Sequence, residues 1–554
     1  MPPSAASADG DATVRHRSVT ALVGAGGPGI VPDREAAWSL LAEPWDVLVI
    51  GGGITGASLH AEATRRGLRS LLLEGRDFAS GASGHSGQLV HGGMRYLRQG
   101  RVAMTRALLQ ERDRLLTTHP GLIEPLSFVL PTYRDRAMDR VKYGLGVRLY
   151  DVLRGHRRSW RRLAADEVAA RIPGVRAQGL DGGFLYGDAV TDDARLVLWQ
   201  LRVAAQGGGV ALNHARVERL RRDRRGAVVG AEVVDSRTGA SAAVRATVVV
   251  NATGAEADAL RCPSASSRRL RPIRGTHLVI SRQRFPLESA IGYRHPATGR
   301  YQYMLPWDDV VLVGTTDVDV DTHSEADGAV RATAAEIEHL LEGIQYCVPG
   351  ASIGRCDLVA SYAGVRPVAD QRGGDPSQAS RQSVVWEEDG LLTVISGKLT
   401  GFHSVVAEAM GRIAPGRAPL AGADAGSVGG DDRHRDLAPP AGVTAEGWRR
   451  VVGRHGADAT AVVAAAWPGE LAVVPGTRTL WVELRWGARA EGVEHLDDLL
   501  LRRTRVGMQR PAEAAADPRL EAICRAELGW DSERWTAELS RYQALWTRNY
   551  SPSQ

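Results

Sequence analysis

With 554 residues the chain is too long for one hydrophobic core to keep growing, and two or three domains are expected. Its 44% hydrophobic and 24% charged residues exclude a wholly disordered chain, and no run approaches the roughly 18 to 20 apolar residues that span a bilayer. The formal charge of +5 permits an anionic membrane surface or an anionic substrate as partner; no nucleic-acid partner is expected.

Residues 1–43 mix Ser, Ala, Gly and Pro without periodicity and read as a flexible extension with no apolar signal segment. Trp45 to Ile50 is an apolar run ending in glycines, followed by a helical stretch to Arg66 and a second apolar run at Leu71 to Leu73, which makes a βαβ unit. Helical stretches at Met104–Leu116 and Ala194–Ala205 then alternate with strand-like runs at Ala246–Val250, Val310–Val313 and Leu391–Ile395. The fold class that follows is mixed α/β. Residues 414–440 are rich in Gly, Asp and Pro and read as a linker to a helical C-terminal domain over 441–554, whose tryptophans are expected in its core. The cysteines Cys262, Cys347, Cys356 and Cys524 offer no C-x-x-C spacing for a metal or redox pair, and a reduced, cytosolic compartment fits.

Gly51-Gly52-Gly53-Ile54-Thr55-Gly56 matches G-x-G-x-x-G where a buried strand gives way to a helix. Glycines there allow the tight turn and the close approach of backbone to a pyrophosphate, while the helix N-terminus offers free amides. Glu74, about 20 residues on, ends the second strand where a carboxylate can bind ribose hydroxyls. That motif serves NAD and FAD alike, and later segments separate them. A long polar loop follows Glu74, holding Ser80, Ser83, Gly92 and Gly93; a second glycine turn ends a strand at Gly254; and Gly397-Lys398-Leu399-Thr400 joins a strand to a helix. Amides and a lysine at that helix start suit the negative charge of a reduced flavin.

The runs FASGASGHSGQLVHGGMRYL, VVNATG, RGTHLVI, VGTTDVDVD, YAGVRP and SGKLTG resemble, in the same order, the FAD-dependent, quinone-linked glycerol-3-phosphate dehydrogenases over residues 45–410; LDDLLLRRTRVGM is similar to a C-terminal family helix. The resemblance implies a discontinuous glutathione-reductase-type FAD domain with an interleaved substrate domain over 44–413 and a helical C-terminal domain. It further implies glycerol 3-phosphate as substrate, electron delivery to membrane quinone, and peripheral attachment to the inner face of the membrane. A homodimer is compatible with it.

A phosphate dianion requires fixed cations, and guanidinium groups bind it bidentately. Arg95, Arg366, Arg381 and Lys398 are the candidates, with Tyr96 as a hydrogen-bonding neighbour; among 69 Lys and Arg, three of these stand out by lying inside glycine-rich, apolar segments: Arg95, Arg366 and Lys398. Oxidising a secondary alcohol also requires a base for the hydroxyl proton. His277 is the first candidate and His91 the second. Gln88 and Gly401-Phe402-His403 depart from the family pattern and are expected to remove polar contacts near flavin or substrate. Two further readings therefore stay open, an oxidase or related FAD enzyme of another hydroxy or amino compound, and a silent flavin-binding sensor or scaffold.

Overall fold

The structure, a computed structural model, describes residues 29–31, 33–155, 159–261, 268–320, 330–369, 376, 382–420 and 438–552. Arg381 and most of the expected linker lie outside the described residues.

An eight-stranded sheet carries the dinucleotide-type motif. Its main path runs Val384–Glu388, Leu391–Ile395, Ser241–Asn251, Pro44–Ile50, Ser70–Leu73 and Val210–Leu212. The strands from Leu391–Ile395 to Val210–Leu212 are parallel, and a parallel sheet covered on both faces demands continuous apolar strands. Val47, Leu48 and Val49 meet that demand, none more than 1% exposed. One face packs on the helices Ile54–Arg65, Asp193–Gln206 and Phe402–Ile413. Register decides where chemistry can occur: Ile50 pairs with both Leu73 and Asn251, and Asn251 with Thr393. The carboxyl ends are therefore level, and Gly51, Glu74, Ala252 and Ser396 emerge along one edge, where open α/β sheets bind ligands.

Part of the expected N-terminal extension is structured, which corrects that reading for residues 33–43. Asp33 accepts a hydrogen bond from the Ala36 amide and caps a helix over Arg34–Ser39, and Ala37 and Leu41 pack into the sheet's other face. Six residues are too few for a helical period to show in sequence.

The second sheet has ten strands, with the long antiparallel pair Leu270–Ser281 and Leu358–Ala369 as its spine. It is interleaved with the first, because the short strand Leu89–Val90, directly after the cofactor loop, pairs with Ala189–Val190 at its far edge. The C-terminal residues are helical, and Trp448, Trp481, Trp486 and Trp535 are buried as expected, whereas Trp467 is half exposed under the Arg485 guanidinium.

Buried ion pairs hold the C-terminal domain to the rest. A π-helical turn over Leu499–Arg503 points Arg502 and Arg503 at Asp77, and Arg503 forks onto both Asp77 oxygens at 2.7 and 2.8 Å. Arg505, in the left-handed region at φ 64°, reaches Asp192 and Asp193, while Arg454 takes the other Asp192 oxygen at 2.8 Å. Burial alone would raise the Asp77 and Asp192 carboxyls, but the facing arginines hold both below the ordinary value. Removing one partner of such a pair strands a buried charge. Arg503→Met is expected to destabilise the protein by about 3 kcal/mol, read as a lowered urea midpoint by tryptophan fluorescence; an unchanged midpoint would remove this lock from the account.

Candidate active site

The glycine turn cannot carry side chains. A Cβ at Gly56 would lie 1.9 Å from the Gly51 carbonyl oxygen, and one at Gly51, whose φ is +112°, would lie 2.6 Å from that of Ala252. Gly56 thus lets helix meet strand, and Gly51 lets two strand ends meet. At Gly53 the near neighbour is Ser83 Oγ, which accepts the Ile54 amide at 2.9 Å and so takes up a position at the helix N-terminus. Glu74 is turned inward and accepts the Gly52 amide at 2.6 Å and the Arg76 amide at 2.8 Å. Burial raises its carboxyl, against the opposing pull of Arg76 and those amides.

Gly51, Gly53, Glu74, Ser80, Ser83 and Gly254 line one cleft of about 1350 Å³. That exceeds the roughly 300 to 1,000 Å³ of ordinary ligand pockets, and with the glycine turn and inward carboxylate at one edge it fits a long dinucleotide such as FAD. The other predicted cofactor residues occupy different positions. Gly92 is a packing glycine whose Cβ would be 2.4 Å from Leu109 Cδ2, and Gly93, at φ +77°, starts the short helix Met94–Arg98. The turn Gly397-Lys398-Leu399-Thr400 follows the cleft residue Ser396, and Thr400 Oγ1 accepts the His91 amide at 3.0 Å, which ties the turn to the loop before Gly92.

The cations gather beyond that turn. Arg366 lies across Gly275, where a Cβ would be 2.1 Å from its Nη2, and donates to Asp317 Oδ1 at 3.0 Å and Thr315 Oγ1 at 2.8 Å. Arg95 reaches the other Asp317 oxygen at 3.4 Å, and Arg300 donates to the Asp317 carbonyl at 3.2 Å. Lys398 Nζ sits 4.7 Å over the Tyr96 ring, one residue along from Arg95. Of the predicted substrate residues, then, Arg95 and Arg366 converge directly, Tyr96 and Lys398 form a second pair, and Arg381 lies outside the described residues.

His277 is fully buried, with Nε2 3.1 Å from the Tyr303 hydroxyl and its ring stacked 4.9 Å from that of Tyr362. Gly87 lies against this pair, since a Cβ there would be 1.8 Å from the Tyr303 oxygen and 3.2 Å from His277 Nε2. Burial, then the positive charge of Arg366, holds the imidazole well below its ordinary value and keeps it neutral. His91 joins the cofactor turn through its main chain.

Both departures make polar contacts of their own. Gln88 is fully buried and its Oε1 accepts the Asp193 amide at 3.0 Å, so it serves the start of the Asp193–Gln206 helix. His403 pairs with Glu111 on the Val102–Thr118 helix. Sequence reasoning missed Asp317, Arg300, Tyr303, Tyr362 and His85; only Asp317, set behind Gly314-Thr315-Thr316 at a strand end, carried a local signal.

Two outcomes follow. Gly56→Ala is expected to yield protein without bound flavin, and a yellow variant would refute the cradle. His60 (lowered to about 3) and His277 are buried and neutral, and the partly buried His85 (lowered to about 4) is neutral too, while in the unfolded chain each titrates near 6.5. The unfolded state therefore binds more protons below that value, and stability falls with pH by up to ~1.4 kcal/mol per pH unit for each histidine. Thermal midpoints should drop between about pH 7.5 and about pH 5.5. A flat profile would contradict the neutral burial.

Comparison with known proteins agrees with this geometry. The sequence model described as FAD dependent oxidoreductase matches residues 46–406, and that of the C-terminal domain of alpha-glycerophosphate oxidase matches 416–535. An aerobic glycerol-3-phosphate dehydrogenase of Staphylococcus epidermidis is 35% identical over 369 residues, 66% of each chain and so just under two thirds of the relative's length. The Staphylococcus aureus protein of the same name is 30% identical over 490 residues, 84% of this chain and 87% of the relative. The crystal structure of the Bacillus halodurans glycerol-3-phosphate dehydrogenase complexed with FAD superposes with a TM-score of 0.74 at 25% identity, covering 94% of this chain and 98% of that one. The FAD-bound L-alpha-glycerophosphate oxidase of Mycoplasma pneumoniae shares the fold, with a TM-score of 0.53 at 19% identity over 67% of this chain and 95% of that one. The chain belongs to the FAD-dependent glycerol-3-phosphate dehydrogenase family of FAD-dependent oxidoreductases.

Proposed function

We propose that the protein oxidises sn-glycerol 3-phosphate to dihydroxyacetone phosphate and passes the electrons to membrane quinone from a peripheral position on the inner face of the membrane. The observation that carries the substrate is the convergence at Asp317. Two guanidiniums, Arg95 and Arg366, meet its carboxylate, and a third, Arg300, donates to its main-chain carbonyl, which concentrates positive charge at one point. A phosphate monoester at neutral pH carries a charge of about −1.5 to −2 and suits such a cluster. Lys398 and Tyr96 extend the same surface toward the cofactor turn.

FAD, when bound, supplies the two-electron acceptor that takes a hydride from the alcohol carbon at flavin N5. The residues of the chain do the rest. Arg95 and Arg366 orient the phosphate and with it the reacting end, which turns an encounter into a positioned reaction. Neutral His277 takes the hydroxyl proton by way of Tyr303, whose O–H passes its proton to Nε2 as its oxygen receives that of the substrate; the neighbouring Arg366 stabilises the charge that builds on oxygen.

Membrane attachment is supported by the helix Ala137–Leu153. Tyr143, Val147 and Tyr150 face the core, yet Met138, Val141, Leu145, Leu149 and Val152 form a second, outward stripe, with Met138 and Leu145 each 62% exposed. Arg140, Lys142 and Arg148 interleave with it, the pattern of a helix that sits in an anionic lipid surface. Among the described residues no helix is long and apolar enough to cross a membrane.

Anaerobic glycerol 3-phosphate should bleach the bound flavin whereas glycerol should not; equal bleaching by both, or by neither, defeats the substrate reading. Arg366→Gln and Arg95→Gln should each raise KM about 10- to 100-fold, the loss of a charge-assisted hydrogen bond. Peroxide accumulating in air with substrate would favour oxygen over quinone. For the membrane, Leu145→Glu should weaken flotation with phosphatidylserine vesicles by roughly tenfold while leaving flavin bleaching in solution intact. Equal flotation of both proteins would remove this helix from the docking surface.

A further inference from the structure

The end of the chain lies beyond both matched segments, which stop at residues 406 and 535, and yet it walls the cofactor cleft. Arg541, Leu545, Arg548, Asn549 and Tyr550, all from the last turns of the helix Ser532–Tyr550, line the cleft together with Ser80, Ser83 and His85. Tyr550 is 5% exposed; its hydroxyl is 2.8 Å from His85 Nε2, and the two rings stack with centroids 6.0 Å apart and planes 29° from parallel.

The direction of that hydrogen bond can be derived. His85 Nδ1 lies 3.0 Å from the Gly81 carbonyl oxygen, which only accepts, so Nδ1 carries the proton. The ring is neutral, held to about 4 by burial foremost, with Arg505 adding to the effect, so Nε2 is an acceptor and Tyr550 donates to it. The segment between Gly81 and His85 is thus closed on itself through Nδ1 and fastened to the chain end through Nε2. A second fastening comes from Arg505, whose Nη1 donates to the Gly84 carbonyl at 2.9 Å. The chain end is itself fixed, since Arg355 donates to the Pro552 carbonyl at 2.8 Å. Asn549 also lines the cleft, and its side-chain oxygen is buried with no hydrogen-bond partner among the described residues.

We infer that the last turn of the Ser532–Tyr550 helix is a clasp for the dinucleotide, in which Tyr550 positions His85 and thereby the Ser80–His85 loop that closes on the glycine turn. Tyr550 is a positioning residue: it acts through His85 on Ser83, which holds the helix amide at Ile54, and so on the retention of FAD. The substrate is not involved, and the inference stands or falls apart from the identity of the alcohol oxidised.

The test is release of FAD from the holoenzyme, followed by the rise of free-flavin fluorescence on dilution, for Tyr550→Phe, His85→Gln and the double variant. Each single change should speed release roughly tenfold, as expected for leaving one buried hydrogen-bonding group unsatisfied. Because both break the same bond, the double variant should release FAD no faster than the quicker single one. Amide exchange over residues 80–88 should quicken in both single variants. Wild-type release in Tyr550→Phe, even with a lowered thermal midpoint, would show a merely structural contact and overturn the clasp, as would single effects that multiply in the double variant. A chain ending at Arg548 should lose FAD fastest; if that shortened chain does not fold, the point variants decide.

Discussion

The structure depends on a set of buried carboxylates whose arginine partners come from another domain. Asp77, Asp192 and Asp193 belong to the FAD domain and are buried, and the arginines that neutralise them, Arg454, Arg502, Arg503 and Arg505, come from the C-terminal helices. Desolvating a carboxylate costs several kcal/mol, and only close, bidentate geometry offsets it. The two domains therefore exist in their observed form together. Asp193 shows how far the constraint reaches. One of its oxygens meets Arg505, and the other accepts the Ser86 amide at 2.8 Å, so the charge that docks the C-terminal domain also places the loop between Ser83 and Gln88. That loop has Ser83 at the cofactor turn, Gly87 against His277, and Arg95 just past its far end.

In the substrate site the same physics is used in the opposite sense. Three guanidiniums lie around one aspartate, a concentration of positive charge that favours an anion. That positive charge also conditions its neighbour. Arg366 adds to burial in keeping His277 deprotonated, so the group suited to accept a proton is held ready to accept one. A histidine in a polar, acidic pocket would titrate higher and spend much of its time protonated at neutral pH.

What was legible in the sequence was local. Gly51, Gly53 and Gly56 announce a backbone requirement at fixed spacing, and Glu74 follows at the end of the next strand, so the cofactor edge could be read without knowing the fold. Arg95 and Arg366 could be singled out by their glycine-rich settings, but their meeting at Asp317 joins a helix to a strand link 222 residues away, and the sequence does not say which of 64 acidic residues lies there. The partner of Gln88 was hidden for the same reason: its place in the chain is next to the substrate loop, but its side chain accepts from a helix that begins 105 residues later. Arg502, Arg503 and Arg505 look like the solvated charges of an ordinary helix, because burial of arginine is decided by partners the sequence does not place nearby. Residues 33–43 hid their helix by its brevity.

The spacing of these partners along the chain sets a schedule for its synthesis. Asp193 leaves the ribosome 312 residues before Arg505, which at ~5–20 residues per second is roughly 15–60 s. Throughout that interval the emerging FAD domain holds three carboxylates that must stay hydrated, and the surface meant to receive the C-terminal helices stays open. Gly51 likewise precedes Tyr550 by some 500 residues, so a nascent chain carries the glycine turn long before the helix that walls the same cleft. Until the C-terminal helices emerge, the receiving carboxylates stand without their arginines.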